Sequence, residues 1–108
     1  MKVADIRSLV AAGRYEVSLH AQQERLDDDL DVAEIEQALL TGEILEEYPD
    51  DPRGESCLML GFANARPVHV VLGWARRQAS RRRTLRVITV YVPQRPKWFD
   101  PRTRGVKA

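Results

Sequence analysis

The chain has 108 residues, of which 44% are hydrophobic and 31% charged, and its formal net charge is +1. This length is typical of one domain, and the composition excludes a wholly disordered chain. The small net charge conceals a split: residues 1–56 carry 15 of the 16 carboxylates and a net charge of −10, whereas residues 57–108 carry 12 Lys or Arg and a net charge of +11.

The first 42 residues predict three helices. Val3, Ile6 and Val10 follow a helical stripe that Gly13 would end. Ser18 can cap a second helix over about residues 19–28, after a short extended segment at 15–18. Asp31 and Glu34 have the spacing of a capping box for a third helix, which we expect to end at Gly42 in a left-handed conformation.

After Gly42 the pattern changes to strands, separated by turns rich in Asp, Asn, Pro and Gly. Four strands are predicted: Ile44–Tyr48, Ser56–Ala63, Pro67–Ala75 and Thr84–Pro93. We therefore expect an α+β domain in which N-terminal helices pack on a four-stranded antiparallel sheet.

Alternation along these strands predicts which side chains meet the helices. One parity is uniformly apolar, and we expect it to form the core with Leu60, Val70, Leu72, Ile88 and Val90. The opposite parity is smaller and more polar. It contains Cys57, Met59, Gly61, His69, Val71, Gly73, Val87, Thr89 and Tyr91.

The domain is expected to cover residues 1–100, followed by a basic, flexible tail at 101–108. No apolar run approaches the roughly 20 residues that cross a membrane. The first residues carry charges where a secretory signal has an apolar stretch, and the single Cys57 cannot form an internal disulfide. We therefore expect a cytoplasmic protein without membrane contact.

His20 and Glu24 form the sharpest local constellation. They are four residues apart, so both lie on one face of the second helix. An imidazole exchanges protons near neutral pH, and a carboxylate one turn away can orient it. The alternative is a structural histidine near a helix start.

His69 lies in the middle of a strand, and its parity places it beside Thr89 and Tyr91. This group could bind a phosphate or a 2′-hydroxyl, with His20 or His69 as acid or base and Tyr91 as proton donor. The alternative is a buried histidine whose hydrogen bonds are all satisfied. No spacing matches a metal site, and no cofactor is expected.

Five arginines within eight residues form the densest charge: Arg76, Arg77, Arg81, Arg82 and Arg83. A guanidinium fork matches phosphate oxygens two at a time, so this run predicts RNA binding. The alternatives are a solvated loop, or self-association in which acidic helices of one copy meet basic strands of the next.

Several blocks occur in a characteristic order: Ser18-Leu19-His20-Ala21, Gly42–Pro49, Cys57–Gly61, Arg66–Val71, Ile88–Pro93 and Trp98. Together they resemble the bacterial domain-of-unknown-function family 4258. That family resembles the RelE-like toxin superfamily, which includes BrnT-like toxins. The resemblance implies a RelE-like fold, action on messenger RNA and inhibition by an antitoxin. It also implies that Arg86, in a late arginine-led strand, acts on RNA.

The residues and the resemblance together predict a toxin-type protein that acts on RNA or the ribosome. Its candidate catalytic residues are His20, His69, Tyr91 and Arg86, and cleavage would be that of a metal-independent endoribonuclease. The alternative is a non-catalytic module that docks an acidic protein or antitoxin-like partner through the basic C-terminal half. Catalysis predicts that the histidines and Tyr91 converge in one cleft.

Overall fold

The computed structural model describes residues 1–75 and 83–105. The helices are α1 (Val3–Ala11), α2 (Leu19–Asp27) and α3 (Val32–Thr41). The strands are β1 (Tyr15–Val17), β2 (Glu43–Tyr48), β3 (Ser56–Ala63), β4 (Arg66–Trp74), β5 (Leu85–Tyr91), β6 (Trp98–Asp100) and β7 (Thr103–Arg104). None of the described helices is long and apolar enough to cross a membrane.

The predicted helix starts are confirmed. Ser18 Oγ accepts from the Ala21 N–H at 3.0 Å, and Asp31 and Glu34 form the reciprocal capping box. Gly13 has a φ of +70° just after α1, as a left-handed helix end requires. Gly42 does not adopt that conformation, because its φ is −83°. A glycine is needed there for space: a Cβ would lie 2.6 Å from the Ala38 carbonyl oxygen.

The predicted four-stranded antiparallel sheet is wrong. The main sheet has five strands in the order β1-β5-β4-β3-β2, and β1 runs parallel to β5. The added strand is only three residues long, too short to show an alternating pattern. Its neighbouring backbone groups fix it to β5, since Leu85 N donates to Arg14 O at 3.0 Å and Ser18 N donates to Val87 O at 2.9 Å.

The side chains predicted to face the helices are the correct ones for β4 but the wrong ones for β3. Val68, Val70 and Leu72 belong to the core under the helices, but β3 contributes Cys57 and Met59 to that core. Leu58 and Leu60 are buried on the opposite face of the sheet, which we call the second face. Both parities of β3 are apolar because this central strand is covered on both sides, so alternation could not distinguish them.

β5 changes face at a bulge. Leu72 pairs with Val87 and Val71 pairs with Thr89, so Ile88 has no partner of its own. The extra residue shifts the alternation, which keeps Val87 and Val90 in the core and places Ile88 on the second face. The prediction that Ile88 belongs to the helix-side core is therefore wrong.

β6 and β7 form a separate two-stranded hairpin. The predicted boundary at residue 100 falls between these paired strands. Trp98 of this hairpin is only 2% exposed. The hairpin thus belongs to the folded body, and residues 106–108 lie outside the described part of the chain.

Candidate functional site

His69 lies at the centre of a closed cluster on the second face. Its side chain is 0% exposed, and its ring contacts the Trp98 ring edge-on at a centroid distance of 4.4 Å. His69 Nε2 lies 2.7 Å from the Pro101 carbonyl oxygen, and Nδ1 lies 3.2 Å from the Tyr91 hydroxyl. Both ring nitrogens are thus engaged inside the protein.

The hydrogen bonds assign the protons of this cluster. A carbonyl oxygen can only accept, so Nε2 carries a proton. In the neutral ring Nδ1 then accepts from Tyr91, whose oxygen accepts from Trp98 Nε1 at 3.1 Å. Burial lowers the pKa of His69, which favours this neutral form.

Arginines of the C-terminal hairpin fasten it over the cluster. Arg102 pairs with Glu43 at 2.7 Å and Arg104 with Glu46 at 2.6 Å, both on β2. The Arg104 guanidinium also lies 4.6 Å from the centre of the Trp98 ring. Arg104 holds the pKa of Glu46 below its usual range. The hairpin therefore closes the half of the second face that contains His69.

His20 has the opposite surroundings. Its side chain is 68% exposed at the start of α2, and Nε2 lies 3.2 Å from Glu24 Oε1. The same carboxylate oxygen accepts from the Val90 N–H at 3.1 Å, and Asp28 accepts from the Val92 N–H at 2.8 Å. These two carboxylates thus accept hydrogen bonds from the backbone N–H groups at the edge of β5 beyond the end of β1. His20 itself lies at the surface.

Arg86 and His20 both lie toward the β1 side of β5, Arg86 beside β1 and His20 beside Glu24, which accepts from the Val90 N–H. Arg86 pairs with Glu16 of β1 at 2.7 Å, and α2 begins three residues after Glu16. Arg83 stacks on Trp74 with 4.4 Å to the ring centre, and Arg14 Nε donates to the Arg83 carbonyl oxygen at 3.1 Å. We call this strip the arginine edge; it consists of Arg14, Arg83, Arg86 and His20.

The remaining arginines of the predicted RNA-binding run, Arg76, Arg77, Arg81 and Arg82, lie outside the described residues. Their place in the sequence is between the end of β4 and the start of β5. The connection that contains them therefore starts and ends beside the arginine edge.

The fold brings basic side chains of the second half of the chain into contact with acidic side chains of the first half. Among residues 1–75 and 83–105, five arginines of the second half pair with carboxylates of the first half: Arg66–Glu34, Arg83–Asp5, Arg86–Glu16, Arg102–Glu43 and Arg104–Glu46. Opposed charges thus meet within one copy of the chain.

The uncovered half of the second face contains a cavity of about 150 Å³. Val71, Gly73 and Ile88 form its floor, and Ser56, Trp74 and Arg86 form part of its wall. The turn between β2 and β3 closes one side with Asp51, Arg53, Gly54 and Glu55.

The predicted catalytic residues thus divide into two places. His69 and Tyr91 contact each other in the closed cluster, whereas His20 and Arg86 lie on the arginine edge. Sequence reasoning missed the edge contacts of Glu24 and Asp28 and the place of Gly73 in the cavity lining. A glycine inside a strand pattern signals a close approach or an open space, and that signal was present at Gly73.

The fold and these features define a small α+β domain with a mixed sheet, helices on one face and a hairpin over half of the other. The family model described as domain of unknown function (DUF4258) matches residues 17–92. The chain belongs to this family. No curated protein and no solved structure matched the chain.

Proposed function

We propose that this protein binds single-stranded RNA along the arginine edge, as a toxin-type protein of the RelE/BrnT kind. The observation that supports this most strongly is the placement of three arginines and an exposed histidine on one edge of the sheet. The connection that contains four further arginines joins the sheet at the same edge.

The planar guanidinium group of arginine matches the geometry of RNA phosphates. The existing ion pairs are weak enough for a phosphate to replace the paired carboxylate. The side chains of Arg86 and Glu16 are 40% and 46% exposed, and an exposed pair contributes only about 0–1 kcal/mol. A phosphate can therefore replace the Glu16 carboxylate at little cost. Release of counterions from the RNA then supplies much of the binding free energy.

If the protein cleaves RNA, His20 is the residue that transfers the proton. It is exposed and oriented by Glu24, and imidazole is the side chain that exchanges protons at physiological pH. The proposal leaves His69 and Tyr91 out of the chemistry, because the His69 nitrogens are bonded internally and cannot reach a 2′-hydroxyl while the hairpin is closed.

Binding is tested by titrating labelled single-stranded RNA at several salt concentrations. With five or six phosphates neutralised, log K against log salt should slope by roughly −4. Arg86→Gln should flatten that slope by about 1. Arg102→Gln is the matched control, since it also removes one arginine from an exposed pair of 2.7 Å, but at β2 on the far edge.

Equal losses in Arg86→Gln and Arg102→Gln would place binding elsewhere, and absence of wild-type binding at low salt would reject RNA as the ligand. Cleavage is then compared between His20→Ala and Gln23→Ala, a change at a nearby exposed position of α2. Cleavage that survives in folded His20→Ala would remove His20 from the mechanism.

A non-catalytic module that docks an acidic protein or antitoxin-like partner is the second candidate. The observation that favours it is that the arginines of the second half already bind carboxylates within the fold. An acidic peptide that binds with the same Arg86 dependence, in a protein without affinity for RNA, would support this candidate over the first.

A further inference from the structure

A single glycine of β4, Gly73, allows the Ile88 side chain and the Glu55 backbone to approach the sheet closely on the second face. In the sheet register Cys57 pairs with Leu72 and Gly73 pairs with Arg86, so Gly73 lies in the row between Ser56 and Arg86. Its neighbours in this row carry a hydroxyl and a guanidinium, but Gly73 has no side chain. Gly73, Ile88 and Glu55 all line the cavity of about 150 Å³.

The β5 bulge completes the cavity. Because the bulge turns Ile88 onto the second face, its Cδ1 lies 2.9 Å from the point where a Gly73 Cβ would be. Val71 and Ile88 are only partly buried. The cavity therefore has an apolar floor that is open to solvent, next to a hairpin that covers the other half of the face.

Charged and polar groups surround this floor. Arg53 and Arg86 supply cations, and Asp51 and Glu55 supply carboxylate oxygens. Glu55 Oε1 accepts from Trp74 Nε1 at 2.9 Å, which fixes the carboxylate at the wall and lowers the pKa of Glu55. Glu55 Oε2 also accepts from the N-terminal ammonium at 3.3 Å, and Arg53 pairs with Asp51 at 3.4 Å. The cavity thus combines an apolar surface with carboxylate oxygens and two guanidiniums.

The size of the cavity selects the class of ligand. A cavity of about 150 Å³ holds one small ring such as benzene, well below the roughly 300 Å³ or more of sites for drug-sized molecules. A whole nucleotide is too large, but the base alone fits if its sugar and phosphates stay outside. Arg86 belongs both to the cavity wall and to the arginine edge, so it lies where a flanking phosphate would be.

We propose that this cavity receives one unpaired base of a bound RNA strand. The proposal rests on the proposed function and adds base selection to it. Carboxylate oxygens accept hydrogen bonds from exocyclic amino groups, so Asp51 and Glu55 favour cytosine over uracil, which carries a carbonyl oxygen where cytosine carries its amino group. The phosphates on either side of the base meet Arg53 and Arg86.

The test compares pentamers of cytidine and uridine, which have the same phosphates and differ in the base. Wild type should bind the cytidine pentamer about tenfold more tightly, within the range that one recognised base contributes. Gly73→Ala narrows the cavity against the flexible end of Ile88 and should reduce this difference to less than twofold. Thr89→Val, on the same face outside the cavity lining, should keep the wild-type preference.

The two indole N–H signals in nuclear magnetic resonance spectra of the wild type provide a second measurement that does not depend on any variant. The chain has two tryptophans: Trp74 in the cavity wall and Trp98 in the closed cluster. Adding the cytidine pentamer should shift the Trp74 signal and leave the Trp98 signal in place.

The possible failures are distinguishable. No affinity for either pentamer at low salt would overturn the proposed function together with the base site. Equal affinity for both pentamers with a stationary Trp74 signal would overturn the base site alone and leave phosphate binding at the arginine edge. Loss of base preference in Thr89→Val would also contradict the cavity as the source of selection.

Discussion

The imidazole of His69 lies between the Trp98 and Tyr91 rings with both nitrogens bonded, whereas the imidazole of His20 is at the surface. The sequence alone does not show which of the two histidines is buried, since each has both polar and apolar neighbours. Burial and hydrogen bonding separate their roles: a sealed, neutral ring holds two parts of the fold together, and an exposed ring can meet a ligand.

The sealed ring predicts a pH dependence of stability. Burial lowers the pKa of His69 in the folded chain, whereas an unfolded histidine has a pKa of about 6.5. Between these two values the unfolded chain binds more protons. The stability that neutral His69 contributes is therefore complete above about pH 6.5 and is lost as the pH falls through the folded value.

Denaturant midpoints at pH 8 and pH 5 check this prediction. Wild type should lose more stability between the two pH values than His69→Gln, which cannot titrate. Parallel pH profiles for wild type and His69→Gln would contradict a neutral buried imidazole.

At the scale of elements, the edge of β5 shows how a helix can take the place of a strand. β1 pairs with Leu85–Val87, and beyond it Glu24 of α2 and Asp28, the residue that follows α2, accept from the next edge N–H groups. An unpaired strand edge is a site of unwanted association. These side chains cover it without extending the sheet.

Asp28→Ala should destabilise the fold by roughly 1–3 kcal/mol, because it leaves the partly buried Val92 N–H without its acceptor. Asp27→Ala is the matched control, since Asp27 is exposed and its described bond is with Gln23 at 3.4 Å. Denaturant midpoints give the free energies, and hydrogen exchange at Val92 should become faster only in Asp28→Ala. Equal midpoints for the two variants would show that the edge bond contributes nothing.

At the scale of the whole molecule, the protein has two apolar layers, one on each face of the sheet. The helices cover one layer, and the C-terminal hairpin covers half of the other, where Leu58 and Leu60 are buried. Within the described part of the chain, five ion pairs connect the acidic first half to the basic second half. The other half of the second face contains the cavity, beside the arginine edge.

Trp98→Ala should cost about 3–5 kcal/mol, the usual range for removing a buried large aromatic side chain. The neighbouring Phe99→Ala should cost much less, because Phe99 is 54% exposed. Thermal or denaturant unfolding measures both values. If the two variants were equally stable, the hairpin would not be part of the cooperative core.

Local signals in the sequence determined the helices and most strand boundaries. The Ser18 cap, the Asp31–Glu34 capping box and the strand Ser56–Ala63 depend on neighbouring residues, and the structure confirms them. The contact of His20 with Glu24 also follows from their spacing along one helix. In all these features the stabilising groups are close in the chain, so composition and periodicity contain the information.

Only the tertiary structure decided the features that join distant residues. Three residues at Tyr15–Val17 became a strand because β5 offered its edge, and the β5 bulge reversed the face of Ile88. Leu60 is buried under a hairpin that begins 38 residues later, and His69 is sealed by Pro101 and Trp98. The sequence pattern shows that a side chain is apolar. It does not show whether that side chain packs against the helices or against the C-terminal hairpin, since both faces of this sheet bury apolar residues.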